Sequence, residues 1–265
     1  MWIMLLPIFG FLIGTVAALT GIGGGAFIVP LLTLLYAISP PNAAGISLAT
    51  IAFTSIAATL NYSRQKRIYY KTGLLLALAT APGAVLGALL SSMVPARLLG
   101  VLFGFFLIIG VALPMAFNPR SLIRRHSSAK ARQDAVKSDS ELVNSVKTMF
   151  LGGLLNFVGG TLSGLLGIGG GVLIVPTMTL VMGMSIHFAT ATSMFVMIFT
   201  SISGGTTHYF AGQINFEFAL LLALGSIFGA QVGAHVSKRV SNVNLRIIFG
   251  LLLVIIGIQM ILTYI

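Results

Sequence analysis

GIGGGAFIVP, Gly21 to Pro30, returns as GIGGGVLIVP, Gly167 to Pro176. Glycine is among the poorest helix formers, yet both runs interrupt long apolar stretches. Sliding the chain on itself by 167 − 21 = 146 residues aligns much more than these glycines. Phe11 meets Phe157, Gly14 meets Gly160, Thr33 meets Thr179, Ala43 meets Ala189 and Ser47 meets Ser193. Thr54 and Ser55 meet Thr200 and Ser201, and LLLAL at Leu74 to Leu78 meets LLLAL at Leu220 to Leu224. Gly83, Gly87 and Gly104 meet Gly229, Gly233 and Gly250. One gapless register across most of both halves means a duplicated chain rather than shared apolar composition.

The 265 residues are 57% hydrophobic and 7% charged, with a mean hydropathy of +1.05, whereas globular domains are about a quarter charged. No Lys, Arg, Asp or Glu occurs from Met1 to Ser63 or from Thr148 to Phe216, so each stretch holds several spans of about 20 residues. The reading is an integral membrane protein. Its net charge of +11 falls between apolar segments, not on an amphipathic face interleaved with aromatics, which argues for topology rather than nucleic acid. With no cysteine, disulfides, thiolate metal sites and cysteine nucleophiles are excluded. The apolar start lacks a basic n-region and its pattern recurs mid-chain, so it reads as mature structure, not a signal peptide.

Glycine, proline and charge punctuate each half into five apolar segments. These are roughly 3–20, 26–38, 43–61, 72–92 and 98–117, then 149–166, 172–184, 189–209, 217–236 and 245–264. The expected domains are a first transmembrane repeat over 1–117, a polar basic linker over 118–147 and a second repeat over 148–265. The second segment of each repeat is too short to span comfortably, leaving a half-helix, a tilted short span or one arm of a re-entrant hairpin. The linker reads as an aqueous connector by composition, with a regulatory or lipid-binding role as the alternative.

Loops rich in Lys and Arg stay cytoplasmic, which places Arg64, Lys66, Arg67 and Lys71 inside together with the linker. The matching loop of the second half, HYFAGQINF, has no basic residue, while the next carries Lys238, Arg239 and Arg246. Matched loops thus fall on opposite sides, each half crosses an odd number of times, and the repeats are inverted. Arg97 falls in a predicted outer loop, against the rule. Both termini are expected outside.

Inverted repeats place substrate where discontinuous helices of the two halves meet near mid-depth. Gly21, Gly23, Gly24 and Gly25, with Gly167, Gly169, Gly170 and Gly171, are therefore the leading substrate-binding candidates. Helices restarting at Ala26 and Val172 would present positive N-terminal ends and free amides, which suits an anion. Pro30 and Pro176 fit the first turn of a new helix. The alternative is that the glycines only permit close helix packing; packing accounts for spaced glycines better than for GIGGG with a proline at fixed distance. A phosphate loop is weaker still, since no strand precedes the glycines and neither copy has the required lysine.

Around this centre lie neutral donors. Ser47, Thr50, Thr54, Ser55 and Asn61 occupy one long segment, and Thr190, Thr192, Ser193, Thr200, Ser201, Thr206, Thr207 and His208 its counterpart. Ser47, Asn61, Thr192, Ser193 and His208 are taken as substrate candidates, although many such groups bond to helix backbone or glue helices instead. Asp134, Asp139 and Glu141 belong to the linker and Glu217 to a segment end. No carboxylate pair sits at mid-membrane, which argues against a cation pump and for an anion or neutral solute. Among His187, His208 and His235, His208 is the choice for a proton relay, with a hydrogen-bonded structural histidine as the alternative. No catalytic set, metal-ligand spacing or cofactor motif can be assembled, so neither enzyme activity nor a cofactor is expected.

Both GIGGG copies with the following IVP, ATATS at Ala189 to Ser193, GQINF at Gly212 to Phe216 and GSIFGAQVGAHVS at Gly225 to Ser237 resemble the sulfite exporter TauE/SafE family of membrane permeases. The resemblance covers nearly the whole chain apart from the linker. It implies secondary transport of a small sulfur-containing anion such as sulfite, a sulfonate or sulfoacetate across a prokaryotic plasma membrane, and seven or eight spans rather than ten. The reading is thus an all-α inverted-repeat permease of 8–10 membrane segments. Its partners are a small anion and the bilayer, with proton coupling open to His208. A passive anion channel or a membrane assembly subunit is the alternative.

Overall fold

The computed structural model describes residues 2–112, 146–237 and 242–265. The linker expected at 118–147 lies outside the described residues except for its last two. A 3₁₀ turn, Trp2–Leu5, leads into α1, Leu6–Thr20. Helix α2, Gly25–Pro30, continues as a π-helical turn, Leu31–Leu35. The first half is completed by α3, Pro40–Arg64, α4, Tyr70–Met93, and α5, Ala96–Phe105, which widens into a π segment, Phe106–Ala112. The second half repeats the order: α6, Val146–Leu166, α7, Gly171–Pro176 with a π turn Thr177–Val181, α8, Ile186–Phe210, α9, Phe216–Val236, and α10, Asn242–Tyr264. All ten expected segments are present as helices.

Local chemistry explains these boundaries. Helix α1 stops where Gly21 turns left-handed at φ 75° and donates its N–H to the Ala17 carbonyl, a glycine C-cap. Gly23 and Gly24 follow at φ 92° and 87°, and Gly167, Gly169 and Gly170 repeat the geometry at 74°, 86° and 82°. L side chains pay heavily for that backbone and glycine does not. Helix α3 starts on two consecutive prolines, whose fixed φ suits a first turn.

Pro30 and Pro176 correct the sequence reading. Each is the sixth residue of its restarted helix, not part of the first turn, and each is followed at once by a π turn. A proline donates no N–H and its ring displaces the carbonyl four residues earlier, so the next residues take the wider i→i+5 pattern.

Close approaches at spaced glycines set the helix directions. Gly10 lies against Leu222 and Gly14 against Ser226, so α1 runs parallel to α9. Gly160 lies against Thr80 and Gly164 against Ala84, so α6 runs parallel to α4. Helix α3 is parallel to α9, through Thr54 with Ser226 and Asn61 with Gln231. Helix α4 is parallel to α8, through Thr80 with Thr200 and Gly73 with Phe195. Helices α3 and α8 are antiparallel, Gly45 meeting His208 and Leu48 meeting Gly204. Equivalent helices of the two halves therefore run in opposite directions, and the repeats are inverted. Small residues at four-residue spacing make these contacts, the membrane route to backbone-close packing.

The same directions settle the short helices. Since α1 and α3 both run parallel to α9, α2 between them must return toward the face where α1 began. The same holds for α7 between α6 and α8, so each short helix turns back from the break toward the face from which the preceding helix came. Among the described residues, α1, α3 and α4 of the first half and α6, α8 and α9 of the second are long and apolar enough to cross, whereas the described parts of α5 and α10 are shorter apolar helices. Helix α5 packs antiparallel on α10, Gly100 against Tyr264 and Gly104 against Ile261, so α1 starts and α10 ends on one face.

Six helices among the described residues are long and apolar enough to cross a membrane. Leu74, Leu78, Leu86, Leu220, Leu224 and Phe228 are exposed on the outer surfaces of α4 and α9, which is the arrangement lipid solvates. The molecule is a multi-pass, all-α membrane protein.

Candidate functional site: two facing glycine breaks

The breaks after α1 and α6 meet at the crossing of α3 and α8. Gly25 abuts the backbone of Gly167 and Ile168, and Gly171 abuts that of Gly21 and Ile22. Ser47 of α3 donates to the Gly167 carbonyl at 2.7 Å, and Ser193 of α8 donates to the Gly21 carbonyl at 2.9 Å. Each half thereby ties down the break of the other. Ala44 sits over Gly167 and Thr190 over Gly21, while Ile51 and Met197, near the midpoints of α3 and α8, close over Gly23 and Gly169. The junction is buried and lies near mid-depth.

Helix starts leave their first amides without intrahelical acceptors, and neither Gly24 nor Gly170 supplies a side-chain cap. Among the described residues the one acidic side chain, Glu217, does not compete for these donors. Glu217 stands at the start of α9, its amide bonded to the Asn215 side chain. Among the described residues no cluster of His, Asp or Glu could hold a metal ion.

The remaining candidates lie away from the junction. Thr192 accepts the Tyr69 N–H at 3.1 Å, where the connection between α3 and α4 passes α8. Asn61 donates to the Gln231 backbone and side chain at 3.2 and 3.1 Å, near the end of α3. The His208 ring bridges the Gly164 carbonyl at 2.8 Å and the Gln213 side chain at 2.5 Å. Of the polar side chains singled out as substrate candidates, only Ser47 and Ser193 reach the breaks themselves.

His208 has a counterpart that sequence reading passed over. Tyr62, exactly one register earlier at 208 − 146 = 62, donates to the Ala18 carbonyl at 2.6 Å. Both rings thus pin a carbonyl three residues before a break. Beside Tyr62 stands Arg67, matched to Gln213, with its guanidinium 5.4 Å from the ring centre. Arg67 donates to Gln65, Ser237 and the His187 carbonyl, joining the ends of α3 and α9 to the start of α8. Burial lowers its pKa, opposed by Tyr62, from a value high enough that it stays charged. The 146-residue register, which pairs Thr33, Ser47, Thr54 and Ser55 with polar partners, also pairs Tyr62 with His208 and Thr80 with Ser226.

Removing the two cross-half hydrogen bonds is a direct stability test. Ser47→Ala with Ser193→Ala should destabilise the protein by about 1–3 kcal/mol per site, since each change strands a buried carbonyl. The check is a lowered thermal midpoint of the detergent-solubilised protein; an unchanged midpoint would mean that the carbonyls find other donors.

Inverted repeats with broken helices whose starts meet face to face recur among membrane transport proteins. The Sulfite exporter TauE/SafE family model matches residues 6–260. The chain is 34% identical to the probable membrane transporter protein YunE of Bacillus subtilis, over 97% of each chain. It is 30% identical to the probable membrane transporter protein YdhB of the same organism, over 92% of this chain and 94% of that one. It is 29% identical to the probable membrane transporter protein MJ0441 of Methanocaldococcus jannaschii, over 98% and 97%. No solved structure matches. The chain belongs to the sulfite exporter TauE/SafE family and is a membrane transporter of that family.

Proposed function

We propose that the protein is a secondary permease for a small sulfur-containing anion, sulfite or a short sulfonate, that binds between the two glycine breaks and is released by alternating access. The carrying observation is the pair of oppositely directed, uncapped helix starts, Gly25–Leu35 and Gly171–Val181, which meet in a buried centre without a carboxylate. Partial positive charge from both helices favours an anion there, and the family name points to sulfur oxyanions.

Ile51 and Met197 closing over Gly23 and Gly169 favour a carrier over a passive channel, because a channel needs a continuous aqueous path. The end of α3, with Arg64, Lys66 and Arg67, shares a face with the end of α9, which precedes Lys238 and Arg239 in sequence. By the positive-inside rule that face is cytoplasmic and both termini are outside, in the plasma membrane of a prokaryotic cell. His208, buried and doubly hydrogen-bonded, is the group through which protons would couple.

The test is initial-rate uptake of radiolabelled sulfite into proteoliposomes, with and without an imposed proton gradient. Saturable uptake above empty liposomes, with counterflow, is the expected result. Uptake linear in concentration without counterflow would replace the carrier by a channel. No uptake of sulfite or short sulfonates would overturn the substrate class.

A further inference from the structure

The two breaks are alike in backbone and unlike in what surrounds them. At the first, the side on which Gly24 lacks a side chain is filled: a Cβ there would lie 2.9 Å from Ile13 Cγ2 and 3.2 Å from Ala17 Cβ. At the second, the same position on Gly170 meets Ile174 Cδ1 at 3.3 Å, Ser163 Cβ at 3.6 Å and Thr200 Cγ2 at 3.7 Å. The 146-residue register traces the difference to two exchanges in the preceding helix, Ile13 to Gly159 and Ala17 to Ser163. One removes a plug and the other adds a hydroxyl.

Together they leave a small, partly open cavity of about 10 Å³ bounded by Phe106, Gly159, Ser163, Ile168, Gly170 and Leu173. Ser163 is 1% exposed, and its Oγ has no hydrogen-bond partner among the described residues. A buried hydroxyl left without a partner is destabilising, and a cavity of this size has room for about one oxygen-sized atom. Hydroxyl and cavity therefore call for the same thing, one polar atom beside the second break.

We propose that Ser163 is a substrate-binding side chain, and that this cavity seats one oxygen of the transported oxyanion. The inference rests on the permease reading above and deepens it by making the site asymmetric. The second break receives the anion, whereas the matching space beside the first is filled by Ile13 and Ala17 and takes no part in binding. Since the cavity admits one oxygen and not a whole anion, entry requires α7 to separate from α6, which links occupancy to the movement that exchanges access.

The experiment is concentration-dependent sulfite uptake by wild type, Ser163→Ala, Ser163→Thr, Gly159→Ala and the reciprocal Ala17→Ser, with sulfite binding to the solubilised proteins followed by calorimetry. Ser163→Ala should raise KM and weaken binding about tenfold, the loss of one hydrogen bond to a charged group, with maximal rate nearly unchanged and the thermal midpoint of the substrate-free protein raised. Ser163→Thr, which keeps the hydroxyl, should stay near wild type. Gly159→Ala, which narrows the cavity, should weaken binding, and Ala17→Ser should leave KM alone. An unchanged KM in Ser163→Ala, with or without a shift in thermal midpoint, would assign the hydroxyl to packing or to a trapped water and overturn the proposal while leaving the permease reading intact. Absence of saturable sulfite or methanesulfonate uptake and binding by wild type would overturn both.

Discussion

Gly171→Ala is expected to abolish recovery of folded protein, although alanine is the better helix former. Gly171 opens α7 with helical backbone, so no conformational strain is involved. The obstacle is the opposite half. A methyl group there would run into the carbonyl oxygen of Gly21 and lie 2.8 Å from Ile22 Cα and from Met197 Cε. Two of those three neighbours are backbone, held in place by Ser193, which bonds the same Gly21 carbonyl. Relief requires the breaks to separate, and overpacking of this kind costs about 3 kcal/mol or more. Gly25→Ala should fail in the same way, since its methyl would meet the Gly167 carbonyl. Size-exclusion chromatography of the solubilised protein checks this: a monodisperse peak at wild-type yield from either variant would mean that the breaks are not in backbone contact.

Gly169→Ala, two residues away, should fail differently. Its φ of 86° is the left-handed region, and an alanine there is strained by roughly 1–3 kcal/mol. Its methyl would approach only side-chain atoms, Ile51 Cδ1 at 3.1 Å and Met197 Sδ at 3.3 Å, which can move aside. The protein should therefore fold, with a modestly lowered thermal midpoint, while the break relaxes and its amides shift. Misplacing a binding group by about 1 Å can cost on the order of a hundredfold in rate, and sulfite uptake should fall by about that much. Uptake within about twofold of wild type, from a variant that folds, would remove the break from the transport site, because no hundredfold positioning effect would then operate there. The contrast between the adjacent glycines separates backbone contact from backbone conformation.

Two kinds of glycine account for most of this fold, and they differ in legibility. Clustered glycines stand out in the sequence because nothing else stops an apolar helix so abruptly, and their two copies gave the duplication. Spaced glycines such as Gly10, Gly14, Gly160 and Gly164 become informative only when their neighbours are known, since close packing leaves no trace in one strand of sequence. Ser163 illustrates the same limit. Its hydroxyl looked like any other in an apolar segment, and only the cavity beside it and the plug opposite, Ile13 and Ala17, set it apart. Asn61, Thr192 and His208 were candidates by type, yet tertiary contacts occupy them, Asn61 and His208 near the ends of α3 and α8 and Thr192 beside Ser193 but bonded to Tyr69.

By itself the sequence determined the membrane class, the duplication, the ten helical segments and the opposed orientation of the halves. Those follow from hydropathy, a 146-residue register and the placement of Lys and Arg, all of which are local or additive along the chain. Only the tertiary structure decided that the short helices turn back from the breaks, that each break is tied down by a serine of the other half, and that the two breaks are unequal. Those depend on which backbone atoms meet across the inverted pair, and contacts between residues 120 or more apart are fixed by packing, not by the properties of either segment alone.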